Sequence, residues 1–347
     1  MNTTHSIFNN TITPYTAVGG TEYGISSGIS AVVLNRQGHY PRRSLFQELE
    51  KAGFDHVISV ESSSPHYDIE ELAGRFPFVR FVLPENEINL GEQINIAARE
   101  TKSPLFFVLR NDLKIIAGGT ARRMAERLNA IQEQPDKNGE KKIHIKRLCT
   151  VPIIANSRYE TLPTLVTPIT YRKIVRTTLM QPQMEGQISL YPFDGIGIYD
   201  RDRFILAGGF DAALKNTHWQ LMDFGFRAHL WGEEIALSIQ LKLLCEGEPI
   251  AQDKTVEESY RRFYLRNLAP VFSGGYAHLP LYRLPSFLIK SGEDIFTAWE
   301  EFFESRKWVM ENKKNWKCDV HAITSLWDNV NTNINSDENI EKTQDLS

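Results

Sequence analysis

The sequence contains little cysteine, no excess of charge of either sign and no long hydrophobic run. Its three cysteines, Cys149, Cys245 and Cys318, are scattered, and no CxxC motif or Cys/His cluster is present. This pattern argues against a disulfide framework and a zinc site, and it fits a reducing compartment. With 39 Lys and Arg against 43 Asp and Glu, the formal net charge of −4 gives no support for nucleic-acid binding.

No stretch reaches the ~18 apolar residues that a membrane span needs, and residues 1–16 lack the apolar core of a signal peptide. We therefore expect a cytoplasmic protein, with peripheral contact at the inner face of the membrane left open. Two nucleotide-binding motifs are also missing. No GxGxxG follows the first predicted strand and no GxxxxGK[ST] occurs anywhere, which argues against the common dinucleotide and P-loop sites.

What the sequence does contain is a regular alternation of short apolar runs and amphipathic stretches. The runs predicted as strands are 29–34, 56–60, 78–83 and 105–109, and helices are predicted between them. Alternation of this kind indicates a parallel sheet with right-handed crossovers. We predict an α/β fold with a single, mostly parallel, nucleotide-binding sheet flanked by helices.

The predicted sheet domain covers residues 27–245. Residues 1–26, rich in Thr, Asn, Gly and Ser, are predicted to form an N-terminal arm, and residues 246–328 a C-terminal helical extension. The aromatic helices of this extension leave open a homodimer interface or a membrane-surface contact. Residues 329–347 are rich in Asn, Asp and Glu, and we predict that this tail is disordered.

One predicted strand ends in polar residues suited to a ligand site. The run 105–109 leads directly into Arg110-Asn111-Asp112. In an open α/β sheet, ligands lie beyond the carboxyl ends of the strands, so Asp112 is placed to meet a ligand or a metal. Asn-Asp is also good turn chemistry, and the residues alone leave both interpretations open.

Several short motifs follow one another in order along the chain. Two predicted strands end in Asn35-Arg36 and Glu61-Ser62, and the stretch 89–95 precedes the strand that leads to Asp112. Farther on come 193–204 with Gly208-Gly209-Phe210-Asp211, and then 223–227 followed by Gly232. In these motifs and their order, the chain resembles the A-type glycosyltransferases, closest to the large family 2 class of nucleotide-sugar transferases, over roughly residues 30–243.

The resemblance implies an enzyme that moves a sugar from a nucleoside diphosphate sugar, with a UDP-sugar favoured, to a hydroxyl of a glycan or lipid-linked acceptor. Mn²⁺ or Mg²⁺, held by Asp112 with His278 as a further ligand, would neutralise the departing diphosphate. Asp223 would act as the general base of an inverting displacement. The residues implied to contact the nucleotide or its diphosphate are Asn35, Arg36, Glu61, Asn95, Arg110, Asn111 and Arg262.

Structural roles are an alternative for most of these side chains. Asp223 could cap its helix or pair with Arg227 at i+4. Asp194, expected to line the acceptor side, could equally serve a turn. Trp219, expected to stack on the acceptor sugar, could belong to the core. A lone histidine such as His278 is more often structural than a metal ligand.

The sequence departs from the family pattern at two points. Arg110 stands at the first position of the D-x-D metal motif. The residues before Asp223 are Gln220-Leu221-Met222, so the usual Glu-Asp pair is absent and Asp223 stands alone. These departures support a non-catalytic sugar-nucleotide or glycan-binding protein on the same fold as an alternative. A nucleotidyltransferase is a further alternative, although residues 35–39 are a poor version of the Gly-rich, basic loop that it would need.

Overall fold

The structure is a computed structural model that describes residues 13–20, 27–35, 42–61, 68–135, 142–144, 147–171, 174–247, 253–323 and 327. Arg36, the predicted disordered tail and most of the predicted N-terminal arm lie outside these residues. Within them the chain forms a large central sheet with helices packed against it. The predicted α/β fold class is confirmed.

Strands and helices alternate through the amino-terminal part of the sheet. The strands are β1 (Tyr15–Gly19), β2 (Ile29–Leu34), β3 (Val57–Val60), β4 (Val79–Pro84) and β5 (Leu105–Arg110), and the helices are α1 (Arg42–Ala52), α2 (Ile69–Arg75) and α3 (Leu90–Glu100). β2, β3, β4 and β5 are parallel to one another, as predicted. β2 and β5 are buried along their whole length, because apolar side chains pack on both faces of the sheet.

The second part of the chain extends the same sheet and adds two small hairpins. Its elements are β6 (Leu113–Ala117), α4 (Ala121–Gln132), β7 (Glu133–Pro135), β8 (Lys142–His144), β9 (Arg147–Ala155), β10 (Leu165–Tyr171), β11 (Ile174–Met180), β12 (Gly197–Asp200), α5 (Arg201–Leu206), α6 (Thr217–Leu230) and β13 (Glu234–Cys245). In the described residues, nine strands form the large sheet, in the order β1-β4-β3-β2-β5-β12-β9-β13-β6. Beyond β5 the pairing is mixed, since β12 runs antiparallel to both of its neighbours.

The strand order reverses between β2 and β5. From β2 the chain moves outward to β3 and β4, and then returns to place β5 on the other side of β2. The carboxyl ends of β2 and β5 lie together, as shown by the Asn111 backbone N–H, which donates to the Leu34 carbonyl at 3.1 Å. A reversal of this kind opens a crevice in which doubly wound sheets bind their ligands.

Helix α6 is central to the packing of the chain. Every residue from His218 to Leu230 is buried, including polar side chains. The helix contacts α3 and β13 on the sheet domain, and it also contacts the carboxyl-terminal helix α7 (Glu258–Phe263). Because it is covered from several sides, even its polar residues must find partners inside the protein.

The carboxyl-terminal part continues from α7 into a π-helical turn, Tyr264–Leu268. It then forms β14 (Val271–Ser273), β15 (Tyr276–His278), α8 (Leu284–Lys290) and α9 (Ile295–Asn312). Ser291 and Gly292 lie in the gap between α8 and α9. Phe287 of α8 and Phe302 of α9 meet in a small apolar core of this part. No helix in the described ranges combines the length and the apolar character needed to cross a membrane.

Strands β1 and β6 of the large sheet lie where the sequence pattern does not indicate a strand. β1 lies in the predicted N-terminal arm, where a polar composition hides its antiparallel pairing with β4. β6 begins directly after Asp112, so Asn111 and Asp112 form the turn between β5 and β6. The β10–β11 hairpin occupies the stretch 156–187, for which the sequence gives mixed signals.

Two helical glycines provide a test of how tightly α6 is packed. A Cβ added at Gly225 would meet the Leu190 carbonyl and would lie 3.0 Å from the Tyr191 Cβ, whereas one added at Gly74 in α2 would meet nothing within 4 Å. We expect Gly225→Ala to lower the free energy of unfolding by about 1–3 kcal/mol through overpacking. Gly74→Ala should raise it by up to ~1 kcal/mol through helix propensity. Urea denaturation of both variants measures the difference, and equal values would contradict the packing described here.

Candidate functional site

At the ends of β2 and β3, a carboxylate is held in a fixed orientation. Glu61 Oε1 accepts from Asn35 Nδ2 at 2.9 Å and from Ser59 Oγ at 2.7 Å, and Glu61 Oε2 accepts from Arg42 Nη1 at 2.8 Å. Glu61 is buried, and Arg42 supplies the opposite charge. The buried Oδ1 atom of Asn35 has no hydrogen-bond donor among the described residues. A buried acceptor without a donor can be satisfied by a ligand N–H group or by a water.

At the end of β5, one guanidinium joins two buried carboxylates. Arg110 donates from Nε and Nη2 to the two oxygens of Asp112, both at 2.9 Å, and from Nη1 to Asp194 Oδ2 at 2.5 Å. Arg110 and Asp194 are each 6% exposed and Asp112 is fully buried. A further Nη2 contact reaches Cys245 Sγ at 3.5 Å. Ionised hydrogen bonds of this two-pronged form are among the strongest in proteins.

Asp194 reaches Arg110 from a strained backbone. It lies in a 3₁₀ turn, Phe193–Gly195, with φ +51°, a left-handed conformation that a residue with a Cβ rarely adopts. Such a conformation costs of order 1–3 kcal/mol and persists only where surrounding contacts enforce it. Gly195 continues in the same region with φ +71°, and its carbonyl accepts from Tyr199 Oη at 2.7 Å. The ion pair with Arg110 therefore helps to fix this turn against the end of β5.

The predicted metal ligands do not fit a divalent cation as they are placed. Both oxygens of Asp112 and one oxygen of Asp194 face the guanidinium of Arg110. His278 lies on β15 with an exposed side chain. In the part of the chain that the structure describes, no group of three or more His, Cys, Asp or Glu side chains could hold a metal ion. As placed, these side chains offer Mn²⁺ or Mg²⁺ no shell of oxygen ligands.

Asp223, the predicted general base, lies in a buried polar network on α6. Its Oδ2 accepts from Arg227 Nη2 at 2.9 Å and from Nε at 3.2 Å, and its Oδ1 accepts from Asn267 Nδ2 at 2.7 Å. Asp223 is 1% exposed and Arg227 is fully buried. Arg227 also donates to the carbonyls of Ala207 and, at 2.7 Å, Gly209. The geometry is therefore that of the i+4 ion pair, and the role of Asp223 as a base stays a prediction.

The residues just before Asp223 also have packing roles. Leu221 is fully buried in the main apolar core. The Gln220 side chain accepts from the Gly91 backbone N–H at 2.8 Å and donates to Asn89 Oδ1 at 2.8 Å and to the Asp211 carbonyl at 3.0 Å. Gln220 thus joins α6 to the start of α3 and to the loop before α6.

Asn95, implied to contact the nucleotide, binds the backbone of Phe210 instead. Its Nδ2 donates to the Phe210 carbonyl at 2.8 Å, and its Oδ1 accepts from the Phe210 N–H at 2.9 Å. Both polar atoms of the side chain are thereby used within the protein. The glycine-rich loop 208–211 is held to α3 by this pair of hydrogen bonds.

Arg262, implied to meet the diphosphate, is bound to acidic residues. Its Nε donates to Asp211 Oδ2 at 2.8 Å and its Nη1 to Glu304 at 3.0 Å, and Arg266 donates to the same Asp211 oxygen at 3.0 Å. Burial acts to raise the pKa of Asp211, but Arg266 and Arg262 outweigh it, so that the pKa of this carboxyl lies below its usual value. The network attaches α7 and α9 to the loop before α6.

Trp219, expected at the acceptor side, lies in the core. It is 5% exposed, its Nε1 donates to the Thr255 carbonyl at 2.7 Å, and its ring packs on Tyr260 and Phe263 with centroid distances of 4.7 and 5.6 Å. This is the structural alternative that the sequence left open. The expected role in acceptor binding is not supported by any exposed ring face.

The structure thus brings some predicted residues together and separates others. Asn35 and Glu61 are in contact with each other, and the triad Arg110, Asp112 and Asp194 lies at the end of the adjacent strand β5. Asp223, Trp219 and Arg262 belong instead to the contacts between α6 and the carboxyl-terminal helices. Sequence reasoning missed the partners Arg42 and Asn267, because nothing in their local pattern indicates contacts across 19 and 44 positions. It also missed Ser59, although residues two apart in a strand lie on the same face, so the alternation of β3 could have indicated this contact with Glu61.

Comparison with solved structures finds matches of low similarity. The chain is similar to GalNAc-T7, crystallised with UDP, GalNAc and Mn²⁺, with 13% identity and a TM-score of 0.45, covering 80% of this chain and 56% of that one. It is also similar to residues 1–349 of Staphylococcus aureus TarS in complex with UDP-GlcNAc, with 13% identity and a TM-score of 0.46, covering 80% of this chain and 71% of that one. Against a longer TarS chain, the match spans 43% of its length.

The chain therefore spans about half the length of two of these proteins, GalNAc-T7 and the longer TarS chain. No protein-family model matches the sequence, and no curated protein matches it. Matches of this kind describe a general likeness in fold, and the roles of individual residues rest on the geometry given above.

Replacing Asp223 by Asn tests the ion pair of α6. The change leaves the buried Arg227 cation without its acid, and breaking one side of a buried pair costs about 3–5 kcal/mol. We expect a loss of that order in the free energy of unfolding, measured by denaturant titration. Asp202→Asn is the matched control, because the Asp202 side chain is 85% exposed and its ion pair with Arg201 is long, at 3.9 Å. This substitution should change the free energy of unfolding by no more than ~0.5 kcal/mol. Unchanged stability in Asp223→Asn would show that the pair contributes little.

Proposed function

We propose that the crevice at the carboxyl ends of β2 and β5 binds a nucleoside diphosphate sugar, with a UDP-sugar favoured, and that the chain is a glycosyltransferase acting on a hydroxyl of a glycan or lipid-linked acceptor. The observation that carries the proposal is the reversal of strand order between β2 and β5. Sheets of this type bind ligands at such a point because adjacent loops diverge there. The motif order that resembles nucleotide-sugar transferases adds to it.

The corner formed by Asn35 and Glu61 supports binding of a base. The buried acceptor Asn35 Oδ1, which has no donor among the described residues, can take the single imide N–H of a uracil ring, a donor flanked by two carbonyls. The amide of Asn35 is oriented by its hydrogen bonds to Glu61 and Ser59, both at 2.9 Å. A side chain that is held in place before binding loses little entropy when the ligand arrives.

Sugar transfer also needs a group that removes the acceptor proton. An inverting displacement with Asp223 as base is the prediction from the sequence resemblance. In the folded chain this carboxylate is buried and bound to Arg227 and Asn267. Proton transfer through Asp223 would require α6 to release it from both partners, so this part of the mechanism has the least support from the geometry.

A second candidate function is binding of a sugar nucleotide without turnover. Arg110 engages the acidic residues at the end of β5, and Leu221 is an apolar core residue where the family has an acid. Both substitutions remove chemistry that transfer would use, yet neither touches the Asn35–Glu61 corner. The two candidates therefore share one binding site and differ only in catalysis.

Calorimetric titration with UDP, GDP and their sugar conjugates tests the binding site. We expect uridine nucleotides to bind the wild type, and Asn35→Ala to weaken binding about tenfold, equivalent to ~1.4 kcal/mol for one hydrogen bond. Asn129→Ala, on an exposed position of α4, should leave the affinity unchanged. Failure of every nucleotide to bind the wild type would refute the proposal, and equal binding by both variants would place the site elsewhere.

A turnover assay then separates the two candidates. Release or transfer of the sugar from the bound conjugate by the wild type supports the glycosyltransferase. Binding without any release, over a range of glycan and lipid-linked acceptors, supports the non-catalytic protein.

A further inference from the structure

We propose that Arg110 is a built-in cation that replaces a divalent metal at the end of β5, so that the folded protein takes up neither Mn²⁺ nor Mg²⁺ there. The proposal concerns the ion at this edge of the sheet. It holds for either candidate function, because it rests only on the contacts of Arg110, Asp112 and Asp194.

The guanidinium uses most of its donors on the two acids. Nε and Nη2 face the two oxygens of Asp112 at 2.9 Å, and Nη1 faces Asp194 at 2.5 Å. The second Nη2 hydrogen is directed to Cys245 Sγ at 3.5 Å. Four of the five N–H bonds of the Arg110 guanidinium therefore have acceptors inside the protein. Arg110 is a cross-link between three segments of the chain, with little left to offer a phosphate.

Burial makes the arrangement exclusive. A metal bound to Asp112 and Asp194 would take the lone pairs that now receive the Arg110 hydrogens, and would leave a buried guanidinium beside a second positive ion. Uncompensated buried charges of this kind are strongly unfavourable. Because Arg110 and Asp194 are each 6% exposed and Asp112 is fully buried, water cannot take over the role of the displaced partner.

The charge balance separates this site from a metal site. Two carboxylates and one guanidinium sum to one negative charge, whereas a divalent cation with the same two carboxylates sums to zero. The triad is therefore more negative by one unit charge than the same acids with a divalent cation, and it offers a diphosphate less positive charge. Its physical effect is to fix the β5–β6 turn to the strained turn at Asp194. Addition of a divalent metal should accordingly leave the structure and its stability unchanged.

Exchanging Arg110 provides a direct experiment. Arg110→Asp puts a third carboxylate beside Asp112 and Asp194, an oxygen-rich set that divalent metals prefer. We expect this variant to be less stable than the wild type in EDTA and to regain at least ~2 °C in Tm when millimolar MnCl₂ is added. The wild type should show no shift. Titration of Mn²⁺ followed by electron paramagnetic resonance should show tight binding to the variant alone.

Arg110→Met is the matched control, because it removes the cation without adding a ligand. It should be destabilised in EDTA, and it should regain less with MnCl₂ than Arg110→Asp. A wild type that binds Mn²⁺ tightly and loses that binding in Asp112→Asn would overturn the proposal, as would a rise in its Tm with MnCl₂. If Arg110→Asp does not fold, the wild-type titration with Asp112→Asn still decides. None of these measurements uses a nucleotide, so a failure of nucleotide binding would not be mistaken for a failure here.

Discussion

The packing around α6 depends on the hydrogen bonds made by the buried guanidinium of Arg227. A fully buried positive charge must be matched, and Asp223 matches it from one turn away on the same helix. The remaining donors bind the carbonyls of Ala207 and Gly209, so the helix and the glycine-rich loop are held together. Asn267, in the carboxyl-terminal part, donates to the other oxygen of the Asp223 carboxylate. One ion pair thereby joins three stretches of sequence.

The same rule applies to the other acids of the candidate site. Glu61 is paired with Arg42, Asp211 with Arg262 and Arg266, and both Asp112 and Asp194 with Arg110. Buried pairs seldom add net stability relative to apolar residues, but losing one partner is costly. The acidic residues that suggest a catalytic interpretation therefore have a second role, which is to balance the arginines packed against them, of which Arg110, Arg227 and Arg266 are buried. At the ends of β2 and β3, the buried acceptor Asn35 Oδ1 has no donor among the described residues.

This distribution has a consequence for how the chain would treat a ligand. A corner with a pre-oriented amide and carboxylate favours recognition of a base, since such groups read hydrogen-bond patterns. The end of β5, in contrast, carries a net negative triad that is sealed by its own contacts. The end of β2 thus has groups suited to binding a base, whereas the end of β5 has no group free for catalysis among the contacts described. Binding and turnover can therefore differ in this protein.

The sequence by itself determined the alternation of strands and helices, because hydrophobic periodicity is a local property. It also offered the pairing of Asp223 with Arg227, which needs only a helix and a spacing of four. Only the tertiary structure decided that Asp194 reaches Arg110 across 84 positions, that Asn95 binds Phe210 across 115, and that Trp219 is core. Those outcomes depend on which faces of the elements pack together. The sequence pattern does not show which arginine pairs with a distant carboxylate when both are buried.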